Sequence, residues 1–244
     1  MKRTTGWMLL AAAAMGACSA TALAGGSVKG KINFDGKMNK PKTIRVTSDA
    51  FCIGAHKEAP LFEETYIFNT EKATLCNVLV YVKGPVAGAF EAPSKPAVID
   101  QVGCQYTPHV VGLMKGQKLQ FKNSDATTHN LDLKSANNPS FNEGQPVQGM
   151  VKDVTFANAE FDPPIRLKCQ VHTWMNAHIA VFDHPFFAVS DENGEFEIKD
   201  LPAGKYTLTV WHEFDKFSPV ESEIAFEVTD GGAAEVNFTY QPPK

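Results

Sequence analysis

Cys169-Gln-Val-His172-Thr-Trp-Met175 puts a thiol, an imidazole and a thioether on one short stretch of chain, and His129-Asn130 supplies a second imidazole upstream. Thiolate, imidazole and thioether are donors that suit copper in both oxidation states. A trigonal His2Cys set with a weak Met on its axis is the electron-transfer form of such a site. Zinc would normally take a fourth Cys, His or carboxylate in place of the thioether. The spacing is workable: three donors on one tight turn fix most of the geometry, and a distant strand end brings the fourth. A metal held this way would tie two parts of a sandwich together. The plain alternative is a bridged or buried Cys beside structural histidines, and Cys-x-x-His alone would not displace it. Four donors of three types in order, flanked by strands of the right period, do.

The elements that must hold these donors are short strands. Apolar and polar residues alternate in Val28–Phe34, Leu119–Phe121, Ile165–Cys169 and Ile179–Val181. The pattern returns in Glu195–Ile198, Tyr206–Val210, Ile224–Val228 and Val236–Tyr240. Clusters of Gly, Pro, Asn and Asp separate these runs and helical periodicity is nearly absent, which predicts an all-β sandwich architecture. Leu75–Val82 is a continuous strand-like run, and Asn137–Pro146 reads as a polar loop between the first histidine and the Cys strand.

Three stretches resemble the cupredoxins, most closely the amicyanin-like or plastocyanin-like proteins with a short Cys-x-x-His-x-x-Met loop. They are Lys115-Gly-Gln-Lys-Leu-Gln-Phe-Lys-Asn-Ser-Asp125 with His129-Asn130, the strand Ile165-Arg-Leu-Lys-Cys169, and Met175-Asn-Ala-His-Ile-Ala-Val-Phe182. The resemblance implies a Greek-key β-sandwich holding one type 1 blue copper. His129, Cys169 and His172 would be its equatorial ligands and Met175 the axial one. It also implies that Asn130 braces the Cys loop by hydrogen bonds and that His172 lies near the surface as the port for electrons, with Trp174 in the contact patch. Leu167, Val171 and Ala177 stand where the family commonly has an aromatic, Pro and Gly.

A composition shift near Asp183-His-Pro185 suggests a boundary. Beyond it, Phe187–Val210 resembles carboxypeptidase regulatory-like, transthyretin-type β-sandwich modules, with Asn193-Gly194 as a hairpin turn. The expected organisation is a leader over 1–24, a copper domain with N-terminal strands over 25–185, and this smaller module over 186–244. Gly26–Gly36 is similar to the first strand of the same module. It could pair with the C-terminal strands, which would make the copper domain an insertion.

Met1-Lys-Arg, the apolar run Trp7–Ala17 and Ala22-Leu-Ala24 compose a secretory signal peptide cleaved before Gly25. Met15-Gly-Ala-Cys18 is a poorer site for a lipid anchor at Cys18. The mature chain is expected to be periplasmic or extracellular, with no membrane span. The full sequence has 23 basic and 27 acidic residues, and losing Lys2 and Arg3 with the leader raises the acidic excess to six. That balance argues against nucleic acid, whose phosphates need a basic surface.

Cys52, Cys76, Cys104 and Cys169 remain after cleavage. Cys52 and Cys104 lie in polar or Gly-bearing loops where an oxidising compartment favours a bridge, and Cys76 reads as a buried thiol. The alternative is a second metal site from Cys52, His56, Cys104 and His109. His178 alternates out of register with Ile179 and Val181, so it leaves the core of its strand for solvent or a domain interface. His184 and His212 read as interface hydrogen-bonding residues. No nucleophile arrangement, phosphate loop or pair of carboxylates in distinct environments stands out. The expectation is therefore an electron carrier rather than an enzyme, meeting a cytochrome or other oxidoreductase. Copper delivery without redox turnover and a purely structural β-sandwich are the alternatives.

Overall fold

Burial alternates along the strands as the sequence pattern requires. In Gly26–Phe34, Val28, Ile32 and Phe34 turn inward and Lys29 and Lys31 outward. In Glu160–Lys168, Ile165 and Leu167 turn inward and Arg166 and Lys168 outward. The structure, a computed structural model, describes residues 25–242. The expected leader, its cleavage site after Ala24 and Cys18 lie outside the described residues.

The described chain is all-β apart from the short helix Ala50–Ala55. Two sheets enclose the core around the candidate ligands. One runs in the order Phe141–Gln145, His129–Lys134, Glu160–Lys168, Asn176–Phe182, Val110–Met114. The other runs Val151–Thr155, Lys118–Asn123, Ala97–Val102, Gln105–Thr107. Ile99, Leu119 and Phe121 from the second pack against Leu131, Leu133, Leu167, Ile179 and Val181 from the first.

Two further sheets bury a second core containing Val28, Ile32, Val80, Phe196, Leu208 and Phe238. Strands from both ends of the chain share them. Gly26–Phe34 pairs with Glu195–Leu201, Ala233–Glu235 and Phe238–Gln241, and Leu79–Val82 pairs with Phe187–Val189 and Gly204–Trp211. Gly30 shows how close these chains run: a Cβ there would lie 1.6 Å from the Val236 carbonyl oxygen. A third cluster, Leu79, Tyr81, Val110, Ala180 and Phe182, joins the two halves. It explains why Ala177–Phe182 is buried on both faces.

Three local expectations change. The Leu75–Val82 run is broken into Thr74–Leu75 and Leu79–Val82, because Asn77 takes a left-handed φ of 57°. The loop over Asn137–Pro146 contains the edge strand Phe141–Gln145, paired with His129–Leu133. Asn193-Gly194 does form a turn, with Gly194 N donating to Asp191 O at 2.9 Å and Gly194 at φ 70°. Its flanking strands do not make a hairpin ladder, since Phe187–Val189 is claimed by Leu79–Val82.

Candidate metal centre

His129 opens the strand His129–Lys134, held there by a turn that Asn123 shapes. The Asn123 amide, fully buried, donates to Thr127 O at 3.0 Å and Gln145 O at 2.9 Å, and its Oδ1 accepts from Asp125 N at 3.0 Å. Asp125 is thereby fixed beside His129: its Oδ2 lies 2.9 Å from His129 Nε2 and accepts from Cys104 N at 2.8 Å. With Nε2 engaged by a carboxylate, Nδ1 is the nitrogen left to face inward, an arrangement that raises the ring's basicity as a ligand.

Cys169 follows the strand Glu160–Lys168, and the loop after it closes on itself. Met175 N donates to His172 O at 2.9 Å, and Cys169 N donates to Met175 O at 3.1 Å. His172 N donates to Cys169 Sγ at 3.3 Å. Asn130 Oδ1 accepts from Gln170 N at 3.2 Å, so the residue after the first histidine does brace the Cys loop.

These supports bring His129, Cys169 and His172 together, with one donor atom of each within 4.8 Å of the others. His129 Nδ1 and His172 Nδ1 are 3.0 Å apart, and Cys169 Sγ is 3.9 Å from His172 Nδ1. All three residues are at most 2 % exposed, and Met175 is buried in the same core. Burial disfavours a thiolate at Cys169, but hydrogen bonds from His129, His172 and the loop amides outweigh it and bring its pKa down to about 6. Burial also disfavours charge on His129, yet Asp125 and Cys169 together raise its pKa to about 9. Two inward-facing ring nitrogens and an easily ionised thiol in a water-excluding pocket fit a thiophilic metal ion such as copper.

The expected surface position of His172 is not what the fold provides. The ring is fully buried. The helix Ala50–Ala55 and the loop before it cover its outer edge, with Asp49 Oδ2 3.4 Å and Cys52 Sγ 3.6 Å from His172 Nε2. Asp49 caps that helix by accepting from Cys52 N and also accepts from Thr127 Oγ1. Cys52 is bonded to Cys104, as favoured from the sequence, so the cover is covalently tied to the sandwich. Trp174 completes it, its Nε1 donating to Cys104 O at 3.0 Å and its ring 5.1 Å from His172.

The disulfide rules out the alternative site of Cys52, His56, Cys104 and His109, because both sulfurs are used. His56 instead faces the carbonyls of Gly103 and Ala59, and His109 faces Glu213. Cys76 is a buried free thiol, its pKa pushed up to about 11 chiefly by burial. His178 lies at the interface with the C-terminal strands. Half-buried His212 has its Nδ1 3.2 Å from Phe214 N, and buried His184 has its Nδ1 3.2 Å from Phe186 N. Asp125 and Asp49 were missed from the sequence. Asp125 carries no periodic signal, whereas Asp49, three residues before Cys52, was legible as a helix N-cap.

No family model matches the chain, and no curated protein does. Among solved structures it is similar to a copper-containing nitrite reductase from Thermus scotoductus SA-01, at 21% identity over 41% of this chain and 26% of that one, with TM-score 0.34. A purple cupredoxin from Nitrosopumilus maritimus shares 18% identity over 35% of this chain and 99% of its own, with TM-score 0.30. A reduced amicyanin shares 17% identity over 42% of this chain and 98% of its own, with TM-score 0.32. The chain thus spans about a quarter of the length of the nitrite reductase. No helix among the described residues is long and apolar enough to cross a membrane.

Proposed function

We propose that this chain binds one copper ion through His129, Cys169, His172 and Met175 and passes single electrons to and from a protein partner, without catalysing a reaction of its own. The convergence of His129 Nδ1, His172 Nδ1 and an acidified Cys169 thiol in one buried pocket carries this reading. Copper, when bound, would supply a one-electron couple between its two common oxidation states. The residues around it do the rest. Asp125 orients His129, Asn130 holds the Cys loop, and the sandwich core excludes water. A ligand set fixed from three directions changes little between oxidation states, which suits transfer.

The disulfide-tied cover over His172 favours retention of the metal over its delivery to another protein. Trp174, partly exposed and packed on His172, is the natural centre of a small redox contact, since weak electron-transfer encounters use small interfaces. Export by the leader belongs to the same proposal, because an oxidising compartment suits the Cys52–Cys104 bridge.

Copper(II) added to the purified mature chain tests the proposal. One copper per chain with an intense blue thiolate-to-copper absorption is expected. Tight zinc binding with no colour on adding copper would sink it.

A further inference from the structure

His109 precedes the strand Val110–Met114 and His178 lies in its parallel neighbour Asn176–Phe182, where His178 N donates to His109 O at 2.8 Å. The two imidazoles meet edge to face with centroids 5.7 Å apart, and they are only 4 % and 7 % exposed. Glu213 reaches them from the loop after Gly204–Trp211, on a different sheet. Its Oε2 is 2.5 Å from His109 Nε2 and its Oε1 is 3.2 Å from His178 Nε2.

These contacts do not amount to a satisfied hydrogen-bond network. His178 Nε2 is buried without a hydrogen-bond partner, despite its closeness to the carboxylate, and so is His109 Nδ1. A proton on each Nε2 would let both rings face the carboxylate, yet the 3.2 Å approach of His178 Nε2 lacks hydrogen-bond geometry and His109 Nδ1 still has no partner. Buried ring nitrogens without partners are rare, and each calls for an explanation such as an ion.

We propose that His109, His178 and Glu213 form a second metal site, which takes a divalent ion of borderline softness such as zinc. Two imidazoles and one carboxylate are a known catalytic zinc donor set, which leaves a fourth position for water. Donor atoms of the three residues already lie within 4.8 Å of one another. A tetrahedral ion would part Glu213 Oε2 and His109 Nε2 to roughly 3.3 Å, given metal–donor distances of ~2.0–2.1 Å. Glu64 stands behind His109, its Oε2 3.6 Å from Nδ1, as the outer carboxylate that metal-bound histidines commonly have. The site contains no thiol and shares no residue with the His129, Cys169 and His172 cluster. Its ion would clamp the five-stranded sheet to the C-terminal strands.

Cobalt(II) titrated into the full mature Cys169→Ser chain gives the test, since no free thiolate remains at the first site. About one cobalt per chain is expected from the three-residue donor set, with visible bands lacking thiolate charge transfer. Binding should fall at least about tenfold in Glu213→Gln and in His178→Gln, since each removes one of only three protein donors. Histidine-ring NMR of the Cys169→Ser chain needs no further substitution and covers the case where those variants misfold. The His109 and His178 rings must be the ones that cobalt perturbs. No binding, or perturbation confined to other histidines, or equal binding by folded Glu213→Gln and His178→Gln, overturns the proposal.

Discussion

At the scale of single residues, Cys169 and Met175 carry the testable chemistry. Replacing the thiolate with a hydroxyl removes the soft donor, so Cys169→Ser should lose the blue absorption entirely. Met175→Leu removes a weak thioether that favours the oxidised ion, and voltammetry should show a higher potential; Met175→Gln should lower it. If neither substitution moves the potential, Met175 is not a ligand. The metal-free chain has its own signature. A thiol lowered to about 6 contributes stability that is present above its unfolded value of ~8.5 and is lost as pH falls through about 6. An imidazole raised to about 9 contributes stability that is present below ~6.5 and is lost as pH rises through about 9. Between ~6.5 and ~8.5 the two slopes oppose each other, because the folded thiol has given up a proton and the folded imidazole has kept one. The pair should therefore add little pH dependence to stability there, while the thiolate absorbs in the ultraviolet. That absorption should fade with a midpoint near pH 6, and a midpoint near ~8.5 would show an ordinary thiol.

At the scale of elements, the cover made by Asp49, the helix Ala50–Ala55 and the Cys52–Cys104 bridge decides how His172 meets its surroundings. The bridge links residues 52 positions apart, so removing it frees a long loop in the unfolded chain. The double substitution Cys52→Ala with Cys104→Ala should cost about 4 kcal/mol in urea unfolding. It should also speed copper loss to a chelator, because the cover no longer holds against His172. Unchanged loss in a destabilised but folded variant would separate the bridge's contribution to stability from any part in retaining metal. The turn before His129 has a comparable dependence on one side chain. Asn123→Ala would strand the Thr127 and Gln145 carbonyls and the Asp125 N–H in a buried site, at a cost of ~2 kcal/mol.

At the scale of the whole molecule, Phe182 joins the candidate copper sandwich to the strands shared by the chain's two ends. Its ring stacks on Phe161 at 4.8 Å and on Phe187 at 4.6 Å, and it is 1 % exposed. Phe182→Ala should cost about 3–5 kcal/mol. Since both cores lean on this cluster, urea unfolding followed by copper colour and by tryptophan fluorescence should coincide in the parent chain and separate in the variant. Coincident transitions in Phe182→Ala would show that the halves hold together without it.

What the sequence determined by itself was local. The donor types and spacing along Cys169–Met175 and the period-2 runs that became all-β structure depend on residues close together in the chain. Near Leu75–Val82 even the local pattern misled, since Asn77 turns where the hydropathy runs on. The tertiary structure alone decided the rest. His172 is buried because a helix over one hundred residues earlier folds across it, and Asp125 matters because its turn delivers it to Nε2 of His129. His109, His178 and Glu213 meet only because strands from two sheets pack face to face. Long-range packing chooses such neighbours, and no periodicity in the sequence records which residues they will be.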